Sequence, residues 1–185
     1  NMTWYEAAAF VNWLNTSTGH TPAYKLNATA TGVSLWSLEQ AWTYEGQRAG
    51  LPNQLRNKDA YYFLPSEDEY YKAAYFDPNK PDGEGYWLYA TGSDTAPAPV
   101  ASGTAPDTAV YGPLNVQPAS VYEAGGLSPY GTMGQSGNVQ QWTENFSFSS
   151  GLSQGLRGSV YNYSELYLRS TSRTSRPPLW SDSAQ

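Results

Sequence analysis

The reactive inventory of this 185-residue chain is short. It has no cysteine and one histidine, His20, set between Gly19 and Thr21. Without cysteine there are no thiolate nucleophiles, disulfides or thiolate metal sites. A lone histidine in a turn-rich stretch has no second ligand or acid–base partner, so it reads as a solvated side chain. Carboxylates group twice. Glu67, Asp68 and Glu69 follow Ser66, and a helix start explains them without a metal. Asp77, Asp82 and Glu84 could chelate calcium but lack the spacing of a calcium loop. Four of the six arginines, Arg157, Arg173, Arg169 and Arg176, gather near the C-terminal end. Pairing with carboxylates and carbonyls inside the domain is the plain account of them; an anion or sugar site lined by Arg and Tyr is the sharper one.

Composition sets the elements that must position these groups. Only 14% of residues are charged, whereas there are 16 Tyr and 7 Trp, and 17 Gly with 13 Pro supply turns. Disorder needs low hydrophobicity and high charge, so this is a folded chain of many turns and few long helices, with aromatics anchoring irregular backbone. Its length suits one domain, residues 1–185. A net charge of −6 with thinly spread cations argues against nucleic acid. No apolar run approaches the length of a membrane span. The Tyr/Ser/Thr/Asn-rich, Lys-poor surface has an exported character. Five Asn-x-Ser/Thr triplets, at Asn1, Asn15, Asn27, Asn145 and Asn162, follow from that composition and weigh little. The opening at Asn1 reads as a segment of a longer protein.

In chain order, Thr3 to Asn15 predicts a helix, with Thr3 and Glu6 as a capping box and Ala7, Phe10, Val11 and Leu14 as one apolar stripe flanked by Trp4 and Trp13. Ser37 to Trp42 predicts a short helical turn. Ala60 to Leu64 predicts an aromatic strand ended by Pro65. Ser66 and Glu69 cap a second helix through Tyr75, packing by Tyr70, Ala73 and Ala74. Asp77 to Pro118 is a long irregular excursion pinned by Trp87, Tyr89 and Tyr111. The stretch Ser128 to Asn145 concentrates Pro129, Gly131, Gly134 and Gly137 before a strand signal at Val139 and Trp142. A Ser/Gly loop from Ser147 then leads to a strand over Leu156 to Tyr161.

Three motifs, in order and spacing, resemble the formylglycine-generating enzyme (sulfatase-modifying factor) family. Tyr62 to Tyr70 is similar to its RLPTEAEW segment. Gly131 to Trp142 resembles GLYDMHGNVWEW, keeping Gly137, Asn138, Val139 and Trp142. Leu156-Arg157-Gly158-Ser159 resembles LRGGSW, and the opening TWYEAAAFVNWLN resembles the family's first helix. The wording FLPSEDEYYKAAYFDPN is closest to exported bacterial members of the PEP-CTERM type. The family's N-terminal strands and closing GFR are missing, which fits a partial chain. The resemblance implies an α+β, C-type-lectin-like fold: two main helices, small twisted antiparallel sheets and extensive ordered loops.

It also implies what this chain has lost. The family's oxidase binds copper through two cysteines after the LRGGSW-like segment; here that region holds Tyr161, Asn162, Tyr163 and Tyr167, and neither a hydroxyl nor an amide replaces a thiolate for copper(I). Relatives with a three-histidine iron site cannot be matched by one histidine. The family's calcium positions fall on Gly134, Gly137, Val139 and Gln141, a degenerate set in which only the Gln141 carbonyl keeps weak calcium binding open. The expectation is therefore a non-catalytic, lectin-like binding or assembly domain, extracellular or on the cell surface, with no required cofactor. Its candidate ligand-binding residues are Tyr161, Asn162, Tyr163, Tyr167, Arg169 and Trp180, and its candidate partners are a glycan, a protein or further copies of itself. A structural subunit of a surface layer or filament, a variable ligand-binding protein with its variation near the C-terminus, and an enzyme using a metal without cysteine are the alternatives.

Overall fold

A computed structural model describes residues 2–43, 53–113, 115–146 and 153–181. The chain divides into two compact units, one of residues 1–64, 146–154 and 176–185, the other of residues 65–145 and 155–175. Asn1 and the Ser/Gly loop after Ser147 lie outside the described residues.

The first unit is built on helix α1, Trp4–Ser17. Thr3 and Glu6 form the expected capping box: the Thr3 hydroxyl accepts from the Glu6 N–H at 3.1 Å, and the Thr3 N–H donates to the Glu6 carboxylate at 2.7 Å. The predicted stripe is kept at Ala7 and Val11, with Leu14 half-buried, but not at Phe10. Trp4, Ala7, Ala8, Val11 and Asn15 are buried, whereas Phe10 and Trp13 are 55% and 60% exposed. The apolar residues wrap most of the way round the helix, so periodicity alone leaves the phase of the stripe open, and Trp4 with two alanines sets it. Small residues let the chain pack close, and the Trp4 ring meets Tyr24 edge-on at 5.3 Å.

Asparagines stitch this unit together. Asn12 accepts from the Tyr24 N–H at 2.9 Å and donates to its carbonyl at 2.7 Å. The buried Asn15 accepts from the N–H groups of Tyr61 and Tyr62 and donates to the Tyr62 carbonyl at 2.7 Å. Those bonds explain a correction: Ala60 to Leu64 is not a strand, because these backbone groups are satisfied by a side chain rather than a ladder. The strands here are β1 (Lys25–Leu26) with β2 (Val33–Ser34), and β3 (Ala41–Trp42) with β4 (Asn53–Asn57), both pairs antiparallel. Ser37 to Gln40 forms the expected turn, the Ser37 carbonyl accepting from the Gln40 and Ala41 N–H groups, but Ala41 and Trp42 already belong to β3. Arg56 on β4 is fully buried, its guanidinium 4.5 Å from the Trp42 ring centroid and 3.7 Å from that of Phe63.

The second unit holds helix α2, Glu67–Tyr75, whose capping box uses Ser66 and Glu69. Tyr70, Ala74 and Tyr75 are its buried residues and pack with Ala90; Ala73 is half-buried. A second core joins Tyr89, Ala109, Tyr111 and Leu168. Tyr89 and Tyr111 thus pin the long excursion, and Trp87 adds an indole N–H bond to Asp77 at 3.0 Å. Strands β5 (Phe76–Asp77) and β6 (Gly85–Tyr86) are antiparallel, whereas β7 (Ala98–Pro99) and β8 (Thr108–Ala109) pair in parallel, unlike the antiparallel sheets expected. A three-stranded sheet, mostly in this unit, runs in the order β11 (Thr174–Arg176), β10 (Gln154–Arg157), β9 (Gln141–Phe146). The predicted strand at Leu156 to Tyr161 therefore ends at Arg157, where Gly158 takes φ +89°.

Residues 134–139 are the junction of this unit. Gly137 takes φ +80°, and the Asn138 N–H donates to the Val110 carbonyl at 2.7 Å. Asn138 then clasps Ala119 through its side chain, at 2.8 Å and 3.2 Å, and its carbonyl accepts from Tyr161 at 2.9 Å.

Candidate functional site

The run after β10 is tied down before it presents anything. Arg157 is buried. Its Nη2 lies 2.9 Å from Glu67 Oε1, and its Nη1 donates to the carbonyls of Ser170 and Ser172. The same Glu67 oxygen meets Arg173 Nε at 2.7 Å. Rings of Tyr70, Tyr71 and Tyr75 stand 5.5 to 5.8 Å from the Arg157 guanidinium. Burial pushes the Tyr70 phenol well above its usual range and that of Tyr75 up to about 12, so both are neutral near pH 7. This cluster is built to hold charge still, and its tyrosines are poor general bases.

From that anchor the chain runs outward. Tyr161 is bonded to Asn138, the Tyr163 carbonyl accepts from the Gly112 N–H at 2.9 Å, and the Ser170 N–H donates to Leu88 at 2.8 Å. Between these ties a 3₁₀ turn, Glu165–Leu168, buries Leu168 and turns its neighbours to solvent. Tyr163 and Tyr167 are 43% and 50% exposed, with centroids 5.0 Å apart and planes at 59°. Asn162 is exposed and Tyr161 half-buried; the Arg169 Nε reaches the Tyr89 hydroxyl at 3.4 Å. Five of the six predicted residues therefore share one run of the second unit. Trp180 belongs to the first unit, with the Arg176 guanidinium 5.2 Å from its ring. Exposed Leu166, between the two tyrosines, was not predicted; apolar residues on both faces of so short a turn were its only signal.

Two metals implied by the resemblance lack the family's side-chain ligands here. Copper has no thiolate to bind. At the calcium positions no carboxylate is among Gly134, Gly137, Val139 and Gln141, and the Gln141 side chain is engaged within the fold, its Nε2 donating to the Gly134 carbonyl at 2.6 Å. The Asp77 carboxylate, whose spacing already spoke against a calcium loop, accepts from the Trp87 indole N–H and from the Asn79 N–H at 2.8 Å. His20 is exposed and stacks on Tyr61 with centroids 4.8 Å apart.

Against known proteins, the family model of the sulfatase-modifying factor enzyme 1-like domain matches residues 1–183. Among solved structures, the chain is similar to Treponema denticola variable protein 1, with a TM-score of 0.56, 20% identity, and 96% of this chain covered. It is also similar to CarF, with a TM-score of 0.58, 21% identity and 97% of this chain covered. It spans 65% and 61% of those two chains. No curated protein sequence matches it. The two capped helices and small sheets are the α+β, formylglycine-generating-enzyme-like fold of these neighbours. With the family model spanning nearly its whole length, the chain belongs to the sulfatase-modifying factor enzyme 1-like domain family.

Proposed function

We propose that this chain is a non-catalytic, lectin-like binding domain of an exported bacterial protein, and that residues 161–169 are its contact surface. The observation that carries the reading is the pair of half-exposed rings, Tyr163 and Tyr167, displayed beside exposed Leu166 on backbone tied at both ends. Rings held this way lose little conformational freedom on contact, and their amphipathic edges suit a glycan or a protein surface. Lack of catalysis is proposed from the sequence: no thiol is available for the family's oxidation, and one exposed histidine has no partner for acid–base work. Trp180 stands as a separate candidate in the other unit. One structural neighbour is named a variable protein, which makes residues 159–180 the run to compare among copies in one genome.

A glycan array and pull-downs against matrix polymers test this reading. Wild-type protein should retain a ligand that a Tyr163→Ala/Tyr167→Ala variant loses by about tenfold or more. Absence of any ligand, or one bound equally by the variant, would sink it.

A further inference from the structure

We propose a second binding surface in the same unit, for a carboxylate-bearing oligosaccharide, on a row of aromatic rings assembled by α2, the β5–β6 hairpin and the turn at Tyr130. Strand pairing sets Phe76 directly opposite Tyr86, with ring centroids 5.1 Å apart. The Tyr71 ring of α2 also meets Tyr86, at 4.7 Å and 31°. Tyr130, carried by the turn that the Gly131 N–H closes onto Ser128, stacks on Phe76 at 6.4 Å and 21°. Tyr86 and Tyr130 are 44% and 49% exposed. Three separate segments therefore converge to display rings that their own unit does not cover.

Charge selects the occupant. The Lys72 ammonium lies 5.7 Å from the Phe76 centroid, and among the described residues it makes no ion pair, even with Asp68 one turn before it. The half-exposed Arg173 guanidinium lies 5.6 Å from the Tyr71 centroid. Its carboxylate partner, Glu67, is shared with Arg157, so one negative charge faces two guanidinium groups. Aromatic faces flanked by the Lys72 ammonium and the half-exposed Arg173 guanidinium match a ligand with flat apolar faces and carboxylates along it, as a chain of uronic acids has. A single-stranded nucleic acid also stacks on rings, but its continuous phosphates need more clustered cations than a chain of net charge −6 brings here.

The surface uses none of the residues of the 161–169 run, and the test separates the two. Isothermal titration of the full chain would use hexagalacturonate, with neutral cellohexaose and an oligothymidylate as comparisons. Hexagalacturonate should bind, more weakly as salt rises. Tyr86→Ala/Tyr130→Ala should weaken it about tenfold and Lys72→Gln several-fold, while Tyr163→Ala/Tyr167→Ala should leave it unchanged. Circular dichroism checks folding, and Lys72→Gln, an exposed and unpaired position, decides the matter if the double variant unfolds. No binding of hexagalacturonate, equal or tighter binding of either comparison ligand, or affinity unmoved by both row variants would overturn the proposal.

Discussion

A Cβ added to Gly137 would overlap the Val110 carbonyl oxygen, and the backbone there already sits at φ +80°. Gly137→Ala should therefore cost about 3 kcal/mol or more, read as a lowered urea midpoint, because clash and strained backbone add. Ser159 offers the reverse case. It takes φ +114°, a region glycine favours, and its buried hydroxyl has no hydrogen-bond partner among the described residues. Ser159→Gly should raise stability by about 1–2 kcal/mol in the same measurement. The two arginines on Glu67 should separate just as clearly. Arg157→Ala strips a buried charge from one carboxylate and two carbonyls and should cost about 3–5 kcal/mol; Arg173→Ala, half in solvent, should cost less than about 1 kcal/mol. Equal losses would refute the view that Arg157 is the anchor.

At the scale of elements, what could be read from the sequence was what is local. Both helix starts were legible because a capping box closes within four residues, Thr3 to Glu6 and Ser66 to Glu69. The α1 packing face was legible at Ala7 and Val11 but not at Phe10, because Phe10 and Val11 are adjacent and both strongly apolar, and only tertiary contact chooses between them. Strand β4, Asn-Gln-Leu-Arg-Asn, carries little strand propensity and was missed, whereas Ala60 to Leu64 has the propensity and forms no strand. The reason lies 46 and 47 positions away, where Asn15 supplies the bonds that a ladder would have given Tyr61 and Tyr62. Asn15→Ala would leave those groups without partners and should lower stability by about 2–4 kcal/mol, with hydrogen exchange fastest to rise at Tyr61 and Tyr62. The candidate surface was legible as a tyrosine-rich run, but its division from Trp180 was not, since no spacing reveals which unit a residue joins.

For the whole molecule, the buried phenols give stability an alkaline limit. The Tyr75 phenol is neutral in the fold up to about 12, against an unfolded value of about 10. A group whose folded value is raised contributes fully below its unfolded value and loses that contribution as pH climbs through the folded one. Melting temperature should thus be insensitive to Tyr75 up to about pH 10 and fall between about pH 10 and pH 12, in step with tyrosinate absorbance. Tyr75→Phe keeps the ring and removes the proton, so it should flatten part of that fall. A Tyr75→Phe variant that falls as steeply as wild type would show that another group governs the limit.

The first helical N–H, that of Trp4, donates to the carbonyl of Pro178 at 3.0 Å. A ribosome makes Trp4 long before Pro178, and at about 5–20 residues per second the intervening chain takes roughly 10–35 s to appear. During that wait the Trp4 N–H lacks its final acceptor, and α1, although its cap is local, is a 14-residue helix of marginal stability on its own. The first unit is therefore finished last. A nascent chain halted before Pro178 should leave the start of this helix unanchored and open to proteases.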